Sequence, residues 1–224
     1  LINTFPKNTT NQIIAIWGHW GTGKSHAIGY MKNRFGKKVQ FIGEAFPKQA
    51  TNFAALYKQH FITNYDIQNF GLACKKIYKE IEDDPNGDRF DEIGKELWDN
   101  SFSFSEIVFN LGHVFSVKRN FIELRNDETY RSIRQWLSGE TVSKPDLKKI
   151  GAEKNLKNEA DFINIMTYLI RISNSRYGDK KPVVWALDDC QTMQKPIMTD
   201  KTRQQIQQGI RAVFDQTSTG LMII

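Results

Sequence analysis

Apolar residues change rhythm repeatedly along the chain, and each change marks a new element. Ile13-Ile14-Ala15-Ile16-Trp17 is an unbroken apolar run of strand length, which predicts a buried strand. Past a glycine-rich stretch, Ala27, Ile28, Met31 and Phe35 recur at helical steps, predicting a helix over 25–35 that lays one face on a sheet and stops at Gly36. Val39-Gln40-Phe41-Ile42-Gly43 then predicts a second strand. The start of the chain thus reads as a βαβ unit with parallel strands and a right-handed crossover.

From 47 to 181 the rhythm is helical throughout. Segments 52–60, 66–81, 90–98, 105–115, 127–137 and 161–172 carry helix-spaced apolar residues, and they are separated by turn signals such as Asp83-Asp84-Pro85-Asn86-Gly87 and Ser143-Lys144-Pro145-Asp146. In the last of them Phe162, Ile163, Ile165, Met166, Leu169, Ile170 and Ile172 leave almost no polar face. That helix is expected to be buried between the insertion and the sheet. A strand signal returns at Pro182-Val183-Val184-Trp185-Ala186-Leu187, followed by a helix over 200–215 with Ile206, Ile210, Val213 and Phe214 on one side and a last strand over 220–224. The expected fold is α/β: a parallel sheet flanked by helices, built from 1–46 and 182–224, with a large helical insertion over 47–181. No Met opens the chain and the last strand signal ends at Ile224, so the core is expected to be trimmed in front and incomplete behind.

Composition narrows the class without naming a function. The 224 residues are 40% hydrophobic and 25% charged, an ordinary globular balance, and no apolar run approaches the roughly 20 residues that cross a bilayer. No signal-peptide layout opens the chain, and two cysteines, Cys74 and Cys190, make neither a disulfide framework nor a zinc site. A cytoplasmic location with no membrane partner is expected. A net charge of +6 permits contact with nucleic acid without establishing it, because most of the lysines are interspersed with acids and read as solvated surface.

Candidate chemistry concentrates at two places. Gly18-His19-Trp20-Gly21-Thr22-Gly23-Lys24-Ser25 fits GxxxxGK[ST] in full, after a predicted strand and before a predicted helix. Gly18, Gly21 and Gly23 let backbone N–H groups converge on phosphate oxygens, with Thr22 and His26 completing the loop and its exit. Lys24 reaches the β- and γ-phosphates, Ser25 offers a hydroxyl to Mg²⁺, and the helix dipole points the same way. The second place is Asp188-Asp189 at the end of the predicted strand over 183–187. There Asp188 would share Mg²⁺ with Ser25, and Asp189 would orient or deprotonate an attacking water. Gln191 reads either as a contact to the γ-phosphate or that water, or as a surface amide. His19 and His26 have no carboxylate partner in sequence, Trp20 reads as a loop aromatic or a shield over the phosphates, Trp136 as a core residue or a base-stacking platform, Arg203 and Arg211 as exposed helix arginines or contacts to a neighbouring subunit, and Cys190 as a small strand-end residue.

The order strand, phosphate loop, helix, strand, helical region, hhhhDD-x-Gln, helix, strand resembles the additional-strand P-loop ATPases, the AAA+ and STAND group. Within it, Gly23-Lys24-Ser25-His26, Trp136-Leu137-Ser138-Gly139-Glu140 and Leu147-Lys148-Lys149-Ile150-Gly151 are similar to ATP-binding proteins of BREX-type bacterial anti-phage systems. The resemblance implies ATP and Mg²⁺, hydrolysis, a role in phage defence, and assembly into a homo-oligomer or a complex with an effector protein. It also implies an arginine finger and sensor residues after Ile224. Where such proteins usually carry Glu, this chain has Asp189, one methylene shorter by about 1.5 Å. A shortfall of about 1 Å can cost about 10²-fold in rate. A nucleotide-binding scaffold with little turnover is therefore the alternative. A small-molecule kinase would need an arginine-bearing lid, which no segment marks.

Overall fold

The structure is a computed structural model, and it describes residues 10–16, 19, 21–47, 50–84, 90, 92–98, 104–118, 120–193, 198–217 and 219–224. Contacts divide the chain into two compact units, one comprising Leu1–Tyr65, Asn158–Asn174 and Lys181–Ile224, the other Asp66–Lys157 and Ser175–Lys180. This division falls elsewhere than the sequence boundaries at 46/47 and 181/182. Segments 53–64 and 159–174, which read as part of the insertion, belong with the sheet, because their apolar faces pack on it.

The first unit holds a four-stranded, all-parallel sheet made of β1 (Gln12–Ile13), β2 (Gln40–Ala45), β3 (Val183–Asp188) and β4 (Leu221–Ile223), in the order β1-β4-β3-β2. An α/β fold with a parallel sheet between helices is what the sequence pattern predicts. Helix α1 (Lys24–Phe35) covers one face, where Met31 and Phe35 pack with Val39, Phe41, Val184 and Met222. Alternate side chains of a strand point to opposite faces, so Val183 and Trp185 belong to the other one. That face is served by α2 (Phe53–Leu56), a π-helical turn (Tyr57–Phe61), α3 (Ile62–Asn64), α10 (Glu159–Asn174) and α11 (Asp200–Thr217). Phe162, Ile165, Met166, Leu169, Ile170 and Ile172 of α10 are all buried, while Ile163 is half-buried.

Trp185 fills the centre of that second face. It is 0% exposed, its ring meets Phe61 edge-on at 5.9 Å, and its indole N–H donates to His60 Nδ1 at 3.0 Å. An unpaired indole N–H here would cost about 1–3 kcal/mol, so the histidine is what makes a tryptophan tolerable at this depth. The bond also fixes the tautomer, because an accepting Nδ1 leaves the ring proton on Nε2.

Of the expected buried strand over 13–17, the described residues 13–16 do not take that form, and Trp17 lies outside the described residues. Regular pairing is confined to Gln12–Ile13, and Ile13 and Ile16 are 63% and 38% exposed. The cause is position: among the described residues β1 is an edge strand paired only with β4, and of its neighbourhood only Ile14 turns toward the α1 side of the core. Asn11 holds this short strand in place. Its amide donates to Phe214 O and Thr217 Oγ1, and its oxygen accepts from Leu221 N–H, at 2.7–2.9 Å. Gly36 does follow α1, but in right-handed geometry. A side chain there would press on the Lys32 carbonyl at 2.6 Å.

The second unit is helical: α4 (Ile67–Asp83), α5 (Glu92–Trp98), α6 (Ser105–Val117), α7 (Phe121–Asn126), α8 (Glu128–Leu137) and α9 (Lys144–Ile150). Ser143-Lys144-Pro145-Asp146, expected as a turn, instead starts α9. Ser143 caps the helix and Pro145 occupies its first turn, where a missing N–H costs nothing. Trp136-Leu137-Ser138-Gly139-Glu140 and Leu147-Lys148-Lys149-Ile150-Gly151 turn out to be helix ends of one kind. Gly139 and Gly151 have φ of 75° and 76°. Glu140 N–H returns to Gln135 O and Gly139 N–H to Trp136 O, while Ala152 N–H returns to Leu147 O and Gly151 N–H to Lys148 O. Trp136 is a core residue, stacked on Phe104 with its N–H on Lys154 O. Among the described residues no helix is long and apolar enough to cross a membrane.

Two glycine substitutions should move stability in opposite directions. Gly112 lies against the Cys74 backbone, so Gly112→Ala should cost about 1–3 kcal/mol. Gly29 faces open space within α1, so Gly29→Ala should add roughly 0.5–1 kcal/mol. Urea denaturation midpoints read both.

Candidate functional site

Because all four strands run parallel, their C-terminal ends share one edge of the sheet, and both candidate motifs lie there. The glycine loop leaves β1 and the acid pair ends β3, with β4 between them. Two strand spacings separate β1 from β3 by roughly 10 Å across the sheet, and β3 runs on past the end of β1, since Ile13 lies in register with Ile223 and Trp185. In parallel sheets the crevice outside such strand ends is where ligands bind.

At the loop, Gly21 and Gly23 have φ of 76° and 85°, in the left-handed region, and a Cβ built on either would meet nothing within 4 Å. Glycine is thus required by the backbone turn, and the turn encloses open space. Gly23 is the N-cap of α1 and offers no side chain to the helix, whose first turn carries no acid. Ala27 N–H is the first to bond back, to Gly23 O at 2.8 Å, so the N–H groups of the first turn face the loop. The His19 carbonyl gathers the rest: it accepts from Thr22 Oγ1 at 2.8 Å, from Thr22 N–H at 3.4 Å and from Lys24 Nζ at 2.8 Å. Lys24 therefore lies folded over its own loop, its ammonium donating to the His19 carbonyl. Ser25 and His26 are exposed at the start of α1. Gly18, with Trp17 and Trp20, lies outside the described residues.

At the other motif, Asp188 is the last residue of β3, paired with Ala45 and accepting Phe46 N–H on its carbonyl at 2.7 Å. Asp189 begins a turn with φ of 55°, and its N–H donates to Asp188 Oδ1 at 2.8 Å. Both carboxylates are half-buried. Cys190 follows with its thiol on Leu187 O at 3.0 Å; burial first, and then the charges of Asp188 and Asp189, push its pKa up to about 11. It stays a thiol, and it reports the two carboxylates beside it. Gln191 lies on the 3₁₀ turn Cys190–Met193. Arg203 braces that turn from α11, donating Nε–H to Met193 O at 2.7 Å and pairing with Asp200 at 3.1 Å. Sequence reasoning took it for an exposed arginine. Its i,i+3 spacing from Asp200 was the available signal. Arg211 does stand exposed, paired with Asp215 at 3.5 Å.

For Mg²⁺ the bearing observation is the type of oxygen that the two motifs offer. Among the described residues no group of three or more His, Cys, Asp or Glu side chains could hold a metal ion. Mg²⁺ commonly relies on one or two protein oxygens plus phosphates and water, and Ser25 and Asp188 are of the right kind for that. No family model matches this sequence, and comparison with curated proteins and with solved structures likewise returns no match.

Iodoacetamide at pH 8 should modify Cys190 on the order of a hundredfold more slowly than the same thiol in the urea-unfolded chain. Asp188→Asn should speed the reaction, since removing a neighbouring negative charge lowers the thiol pKa and raises the thiolate fraction. Mass spectrometry of timed samples reads both rates.

Proposed function

We propose that this chain is a Mg²⁺-dependent ATP-binding and hydrolysing module of the AAA+/STAND kind, which couples nucleotide state to assembly with copies of itself or with an effector protein. The observation that carries the reading is the joint placement of a GxxxxGK[ST] loop and an Asp-Asp pair at the C-terminal edge of one parallel sheet, with an extra strand, β4, between their strands. The strand order itself supports the resemblance to additional-strand ATPases. The phage-defence context is carried by the likeness of 23–26, 136–140 and 147–151 to BREX proteins.

In this reading the N–H groups at the start of α1 and the loop around Gly21 and Gly23 receive the triphosphate, whose charge draws Lys24 from the His19 carbonyl. Ser25 and Asp188 hold Mg²⁺, which when bound neutralises charge developing on the phosphate oxygens. Asp189 takes the proton of the attacking water or orients it, with Gln191 beside it in sequence. Adenine rather than guanine follows from the resemblance and from the lack of an N-K-x-D segment.

One observation favours the scaffold alternative, in which ATP fixes an assembly and scarcely turns over. Asp189 is a short carboxylate on a backbone turn that begins at its own residue. ATP turnover and retained nucleotide should be measured over a range of protein concentrations. Lys24→Ala should abolish retention, and Asp189→Asn should lower turnover by about 10²-fold or more while nucleotide stays bound. Specific activity that rises with concentration would show a site completed by a neighbour. Retained nucleotide with turnover indifferent to Asp189→Asn would overturn hydrolysis and leave the scaffold.

A further inference from the structure

The net charge of the chain is not spread along it. Up to Gly43 there are six lysines and arginines and no acid, and from Glu44 onward 25 basic residues face 25 acidic ones. The whole excess of +6 therefore lies in one short stretch, most of it on α1 and the turn after it.

The structure shows how that charge is displayed. None of the twelve residues of α1 is buried, and Lys32, Arg34, Lys37 and Lys38 are all exposed. Among the described residues none of these four cations enters an ion pair. Tyr30 is 62% exposed and stands one turn before Arg34 and one turn after Ala27, on the side away from Ile28, Met31 and Phe35. Cations in the last turn of a helix complement its dipole, which accounts for Lys32 and Arg34. It accounts neither for Lys37 and Lys38 past the helix end nor for an outward tyrosine among them.

We propose that the stripe formed by Tyr30 and Arg34 on α1 and continued by Lys37 and Lys38 in the turn after it binds single-stranded nucleic acid. The cations track the phosphates and Tyr30 stacks on a base. From Tyr30 to Lys38 the stripe extends about 12 Å, room for roughly three nucleotides at about 3.4 Å each. Protein interfaces deplete charge at their centre, whereas here the charge is the centre, which favours a polyanion over an acidic protein. A base can lie flat on Tyr30 only if it is unstacked, which favours a single strand over a duplex. This inference does not depend on ATP hydrolysis.

Fluorescence anisotropy of the intact chain with a labelled oligo(dT) of about 12 nucleotides tests it. The pair Lys37→Glu/Lys38→Glu should weaken binding tenfold or more and reduce the slope of log K against log salt by about 1.4, at about 0.7 per lost phosphate contact. Tyr30→Ala should weaken binding about tenfold without changing that slope, and Tyr30→Phe should restore it. The equal charge reversal Lys76→Glu/Lys79→Glu, on exposed positions of α4, should leave affinity within about twofold. No binding by the unaltered chain at low salt overturns the proposal. So does weakening no greater than in the α4 control, or competition by polyglutamate equal to that by the oligonucleotide at matched charge.

Discussion

The hydrogen bond from Trp185 to His60 is the constraint on which the sheet-bearing unit depends. β3 lies between β2 and β4, and Trp185 projects from its middle into a space closed to water. The π-helical turn answers that demand: Tyr57, His60 and Phe61 are all buried on it, and Phe61 and His60 both reach the indole. A π turn is rare and occurs mostly as a single turn within a helix, as it does here between α2 and α3. What it supplies is an acceptor for one N–H. With β3 pinned at its centre, the residues at its tip are positioned by the core rather than by their own loop.

What the sequence made legible depended on whether the cause was local. The glycine loop and its helix could be read because the φ values of Gly21 and Gly23 and the facing of α1 are set within a few residues. The apolar surround of α10 announced burial, and α10 is buried. The exposure of Ile13 and Ile16 could not be read, since an apolar run says that a strand wants cover and only strand order says whether it has any. Asn11 was invisible for the same reason, its partners lying more than 200 residues away along the chain.

Helix ends gave the opposite error. Ser-Lys-Pro-Asp reads equally as a turn or as a capped start, and the apolar pair Leu147 and Ile150 that follows decides for the helix. The two stretches that suggested a family likeness in the helical unit serve as Schellman ends with a buried Trp136, Leu137, Leu147 or Ile150 behind them. That role is sufficient to explain their composition. The nucleotide reading therefore leans on the sheet and its loops, where residue types and geometry agree for separate reasons.

Asp189 gains a second meaning from its backbone. With φ of 55° it occupies a conformation that aspartate and asparagine tolerate several-fold better than other side chains, because a short polar group can bond locally. Glutamate has no such advantage, and placing it there would add reach to the carboxylate while straining the turn that presents it. The short carboxylate is thus as much a property of the chain's path out of the sheet as of any reaction. At this corner the backbone and the carboxylate were chosen together, and lengthening one without redrawing the other would trade aim for distance.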